Sequence, residues 1–161
     1  MGEVLARYFA AEKSESLLFI AIGVIAIAIA IWLRITRSPY RAAAWPLIAI
    51  ALIQIVVGST VYLRTDKQVA DLRVTFARGE KAAEISRMTT VMRAFALYRW
   101  IEIALAIAGL VMVFAARYSV AWRSAGIALA AQALLMLLAD FIAEKRGAIY
   151  LDALRKIGLN P

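Results

Sequence analysis

Residues 17–33 read LLFIAIGVIAIAIAIWL, a run without a single charge. A helix rises 1.5 Å per residue and the hydrocarbon core of a bilayer is about 30 Å thick, so a run of this length and polarity suits a membrane crossing. Arg34 follows it directly, and the leader MGEVLARYFAAEKSES holds three acids, unlike the basic leader of a secretory signal. The run is therefore expected to be an uncleaved anchor.

Three further segments repeat the pattern. Residues 42–63 carry Pro46 near their start, where the missing N–H has no helical partner to lose. Residues 95–116 contain Arg99 and Glu102, and residues 120–142 have Arg123 at one end and Asp140 at the other. Four such runs in 161 residues would leave too little polar surface to cover them in water. The expected fold is an all-α integral membrane protein, a single domain over 1–161 built as a four-transmembrane-helix antiparallel bundle. Trp32, Tyr40, Trp45, Tyr118 and Trp122 at one set of span ends, with Tyr62, Tyr98 and Trp100 near the other, give the two aromatic belts such a bundle needs.

Composition agrees and narrows the chemistry. The chain is 64% hydrophobic with a mean hydropathy of +0.78, where soluble domains hold about 45–50% apolar residues. It has no cysteine and no histidine, which removes disulfides, thiolate catalysis, the usual zinc and haem ligands and Ser–His triads. No catalytic residue, metal site or cofactor is expected. A lipid-directed enzyme has little support without a metal-spaced acid cluster, and Ser59 and Thr60 after Gly58 read as packing residues.

The connections are unequal. Residues 34–41 and the stretch around 117–119 are short and force antiparallel neighbours. Residues 64–94 are longer and patterned: Val69, Leu72 and Phe76 recur at helical spacing, as do Ile85, Met88 and Met92. Arg78-Gly79-Glu80 between them supplies a turn, and no proline separates either half from its span. A helical hairpin is therefore expected to extend spans two and three outside the bilayer, its stripes packing on each other or on a partner; two helices lying flat on the lipid are the alternative. Val4, Leu5, Tyr8 and Phe9 give an amphipathic helix over about 2–13, and Tyr150, Leu154 and Ile157 another over about 147–157, stopped by Lys156, Gly158 and Pro161. Both are expected to act as interface anchors on the hairpin side.

The formal charge of +8 is divided between two faces. Thirteen basic residues lie on the termini and hairpin, while the short connections hold five arginines (Arg34, Arg37, Arg41, Arg117 and Arg123) and no acid. The raw count places termini and hairpin in the cytoplasm of a bacterial-type plasma (inner) membrane; charge density argues the reverse. The charges are dispersed around span ends, which suits anionic lipid headgroups and not nucleic acid.

Ionisable groups inside spans cost roughly 2.5–3.5 kcal/mol on insertion scales, so they mark candidate sites. If spans two and three fold about the turn at Gly79, Gln54 lies level with Glu102. Arg99, one turn away, can pair with Glu102 along the helix, and Asp140 reaches the same interface. Gln54, Arg99, Glu102 and Asp140 form the candidate polar cluster; Val69, Leu72, Phe76, Ile85, Met88 and Met92 form the candidate partner-binding stripe. Ala104, Ala108, Gly109, Gly126, Ala130 and Ala133 carry small-xxx-small spacings, and Gln132 offers an interhelical hydrogen bond. The expectation is a non-enzymatic scaffold or accessory subunit working through hairpin and amphipathic ends, in a homo-oligomer or larger complex. A small oligomeric proton- or cation-linked transporter or channel using Glu102 is the alternative.

Overall fold

A computed structural model describes residues 2–77, 81–116 and 118–158. It consists of four long α-helices, α1 (Gly2–Ile35), α2 (Ala44–Ala77), α3 (Lys81–Ala115) and α4 (Val120–Gly158), with a short 3-10 turn at Arg41–Ala43 and no strand among the described residues. All four are long and apolar enough to cross a membrane. At 34 residues α1 is roughly 51 Å long and at 39 residues α4 is roughly 58 Å. Each exceeds the hydrocarbon thickness by a wide margin.

The helices are continuous where sequence patterning suggested separate pieces. The N-terminal amphipathic segment and the first span form the single helix α1, and the C-terminal amphipathic segment is the last third of α4. Neither junction contains the proline that would break it. The Arg78-Gly79-Glu80 turn and Pro161 lie outside the described residues.

The short connections are closed by local hydrogen bonds. Arg37 takes a left-handed φ of 49°, and the Ser38 N–H donates to the Leu33 carbonyl at 3.2 Å, a Schellman-type stop. Pro46 falls in the first turn of α2. Ser119 precedes α4 and its hydroxyl accepts the Trp122 N–H at 3.4 Å, an N-cap contact.

The helices pack as two tight pairs. In the first, Gly23 of α1 sits against Ala51 and Ile55 of α2, and Gly58 of α2 sits against Ser16 and Ile20 of α1. In the second, Gly109 of α3 meets Gly126 and Ala130 of α4. In both pairs, residue numbers rise on one helix as they fall on its neighbour. The absence of a side chain lets the backbones approach closely, which is how membrane helices associate when lipid is as apolar as leucine. Gly109, Gly126, Ala130 and Ala133 are used inside the chain, whereas Ala104 and Ala108 face outward.

Contact between the pairs lies toward both ends, and beside the short connections Leu33, Ala43 and Leu47 pack with Ala128 of α4. α2 and α3 touch only marginally. A core of Leu5, Tyr8 and Phe9 from α1, Leu72 from α2, Met88 from α3 and Tyr150, Leu151 and Leu154 from α4 joins all four helices at one end. Tyr8 stacks on Tyr150 with ring centroids 4.3 Å apart. Large apolar side chains such as Leu18, Ile25, Val56, Phe114 and Leu138 are exposed on the outside, a surface suited to lipid and costly in water.

Candidate functional site

The middle of the bundle contains polar side chains without evident compensation. Glu102 of α3 is 2% exposed, and its carboxyl lies within hydrogen-bonding range of Asp140 on α4. Its Oε2 finds no partner in the protein. Gln54 of α2 is fully buried, with neither its amide oxygen nor its nitrogen bonded. Gln132 of α4 is buried too, and its Nε2 is likewise unpartnered. A buried amide or hydroxyl left unbonded costs about 1–3 kcal/mol, so this layer is energetically conspicuous.

The four residues of the predicted cluster are partly brought together. Glu102 and Asp140 meet. Gln54 shares their level: the contacts of Gly23 with Ile55 and of Glu15 with Arg146 set the registers of α2 and α4 against α1, and these place Gln54 within about one turn of Asp140. Arg99 differs from expectation. It bonds Glu144 across the α3–α4 pair instead of Glu102 along its own helix. Glu144 is one turn beyond Asp140, so the interhelical carboxylate reaches Arg99 while Glu102 points to Asp140.

Outside the pair, Arg99, Asp140 and Glu144 border a groove of about 420 Å³ walled by Phe95, Ile103 and Leu138 among others. Acid chemistry is thus within reach of the bundle exterior at this point. Two carboxyls that face one another can bind one proton or one cation between them. Among the described residues no cluster of three or more acids has metal-ligating geometry.

The apolar stripe has a different environment from the one anticipated. Leu72 and Met88 are buried in the four-helix core, and Val69, Phe76, Ile85 and Met92 pack against that core. The two arms do not zip onto each other; Tyr8, Phe9, Tyr150 and Leu154 from the chain ends fill the space between them. The ends expected to anchor at the interface therefore close the bundle.

A second polar cluster was not singled out from sequence. Glu84 of α3 is 3% exposed; it accepts two bonds of 2.7 Å from Arg87 and one of 3.2 Å from the Tyr150 hydroxyl. Arg146 lies over the Tyr8 ring and pairs with Glu15. Lys13 pairs with Asp66, and Arg64 with Glu12. The legible signal was the spacing Glu84, Met88, Met92: an acid in register with an apolar stripe faces inward and demands a partner.

The chain matches no known protein family, no curated protein sequence and no solved structure at a significant level.

Proposed function

We propose that the protein is a non-enzymatic four-span antiparallel bundle of a bacterial-type plasma membrane that moves protons or small cations by way of Glu102 and Asp140. The observation that carries this reading is the buried Glu102 carboxyl beside that of Asp140, with no other hydrogen-bond partner for its Oε2. A purely structural glutamate would be expected to hold Arg99, and Arg99 is committed to Glu144. Ionisable groups inside a membrane are rare unless they serve a path or a relay. In this reading spans run near 17–33, 42–63, 95–116 and 120–142, and the continuations of α2 and α3 project as a hairpin beyond the bilayer. The ends of α1 and α4 pack beside it. The termini and hairpin are placed on the cytoplasmic face, and a homo-oligomer would supply the second wall of the path.

The experiment uses the full chain in liposomes holding a pH-sensitive dye, with an imposed proton gradient and, separately, a sodium gradient. Wild-type protein is expected to dissipate a gradient faster than empty vesicles, and Glu102→Gln and Asp140→Asn to abolish the difference while retaining wild-type helicity and unfolding midpoint. Vesicles with wild-type protein that hold both gradients as well as empty ones would refute it.

One observation favours the scaffold or accessory reading. Near the chain ends the Arg146–Glu15 and Lys13–Asp66 pairs cross-tie the helices, and Val74 and Ile149 are exposed. A partner would meet these outward residues, since the expected stripe is spent inside. Under this reading Val74→Glu with Ile149→Glu releases the chain from a larger native complex, and Glu102→Gln does not.

A further inference from the structure

The ends of the bundle differ sharply in charge. All eleven acidic residues fall outside residues 16–65 and 103–139. Those two stretches contain the short connections, and there the described arginines Arg34, Arg37, Arg41 and Arg123 take part in no ion pair among the described residues. Among the described residues, these four arginines have no carboxylate paired with them.

A groove of about 360 Å³ opens at the same end, lined by Ala42, Trp45, Pro46, Met112, Trp122 and Leu129 among others. It is formed by the starts of α2 and α4 and the end of α3. The Arg34 guanidinium lies 5.2 Å from the centroid of the Trp45 ring, so a cation borders the apolar wall. Arg41 and Arg123 are the chain neighbours of the lining residues Ala42 and Trp122.

We propose that this groove is a binding site for an anionic glycerophospholipid, with an acyl chain against Trp45, Pro46, Met112 and Leu129 and the phosphate held by Arg34, Arg41 and Arg123. An apolar groove at membrane depth accepts the chain of any lipid, so the headgroup decides. A zwitterionic headgroup brings its own cation beside three arginines, whereas an anionic one neutralises them. No acid in either stretch competes for the guanidinium groups. Tryptophan supplies a flat apolar wall and an N–H donor at headgroup level. The groove beside Asp140 lacks this property, because its Arg99 is already neutralised by Glu144. The inference does not depend on the proton or cation path, nor on which way the bundle faces.

The test is native mass spectrometry of the delipidated full chain in detergent, titrated with phosphatidylglycerol, with phosphatidylcholine of identical chains, or with inorganic phosphate. Phosphatidylglycerol should be retained well above phosphatidylcholine, and free phosphate should not displace it. Replacing Arg34, Arg41 and Arg123 with Gln should weaken phosphatidylglycerol binding by about fivefold for each arginine removed. Replacing the exposed Lys67, Arg93 and Lys145 with Gln removes equal charge from the other end and should leave it unchanged. Brominated phosphatidylglycerol should also quench wild-type tryptophan fluorescence more than brominated phosphatidylcholine, a readout independent of any variant. Equal retention or equal quenching by the two lipids, equal loss in the two triple variants, or displacement by free phosphate would overturn the proposal.

Discussion

The crossing of α3 and α4 at Gly109 and Gly126 fixes the spacing of the Glu102–Asp140 pair, and its contribution can be worked from the geometry. A Cβ built at Gly109 would stand 2.6 Å from the Ala130 backbone nitrogen and 2.7 Å from the Gly126 carbonyl oxygen, where ordinary contact begins at 3.4 Å. Both obstacles are backbone, so Gly109→Ala must part the helices by most of an ångström. Overpacking of this kind costs about 1–3 kcal/mol. Alanine returns roughly 0.5–1 kcal/mol through its lower backbone entropy in a helix. The net expectation is a destabilisation of about 1 kcal/mol, within a range of about 0–2.5 kcal/mol. Gly147→Ala is the internal control. Its nearest neighbours are Met92 Sδ at 3.2 Å and Met88 Cε at 3.6 Å, ends of flexible side chains that can yield. That variant should keep the entropic gain and be neutral or slightly stabilised. The assay is reversible unfolding in mixed micelles, followed by circular dichroism against the mole fraction of denaturing detergent. A double-mutant cycle sharpens it. A Cβ at Gly126 would meet the Gly109 carbonyl at 2.6 Å, the reciprocal of the same contact. Once the helices have parted for one alanine, the second should cost less than it does alone. Gly109→Ala as stable as wild type, or strict additivity of the two changes, would refute the close-packed crossing.

Three other outcomes follow from the structure. Arg87→Met leaves the nearly buried Glu84 without its cation and should cost about 3 kcal/mol, whereas Tyr150→Phe removes one bond to the same carboxylate and should cost about 1 kcal/mol; equal losses in the same unfolding assay would contradict the geometry. Gln54→Leu fills the same buried position without unbonded polar atoms, so it should raise the unfolding midpoint and, on the proposed transport reading, slow proton or cation flux; a variant that changes neither would make the amide incidental. The chain has no native cysteine, so single cysteines at Ser38 and Asp66 can be labelled unambiguously with an impermeant maleimide. They should react from opposite sides of the membrane, and reaction of both from one side would refute the four-span arrangement.

Four helices of span length and polarity were legible because a charge-free run such as 17–33 has few alternatives in a chain this apolar. Helical period was legible too, since Val69, Leu72 and Phe76 do share an inward face. Period identifies a face and says nothing of what meets it. The stripes alone suit packing on each other or on a partner, and the structure interposes Tyr8, Phe9, Tyr150 and Leu154, residues distant in sequence. Arg99 shows the same limit. Spacing along one helix reveals Glu102 as a neighbour, but Glu144 lies 45 residues away in the chain and becomes a partner only when α3 and α4 pack. Counting outward from a turn at Gly79 expects Gln54 level with Glu102, because register follows from chain length when two helices are joined by a short connection. The same counting could not reveal that Glu102 meets Asp140, which depends on a different pair of helices.

The division into two glycine-tight pairs gives the polar layer a mechanical setting. Within each pair the backbones touch, and relative motion there would meet backbone atoms at once. Between pairs, α2 and α3 barely meet, and the aromatic core with its Arg146–Glu15 bond joins the pairs near the chain ends. Gln54 belongs to one pair, and Glu102, Asp140 and Gln132 to the other. The pairs also meet at the other end, where Leu33, Ala43 and Leu47 pack with Ala128 of α4, so the polar layer lies between two regions of contact. No hydrogen bond of Gln54 ties the two pairs together across this layer. On the proposed transport reading, a proton or cation bound between Glu102 and Asp140 changes the charge on one side of that seam alone, and the spacing across it would change only through a difference in affinity for the two spacings.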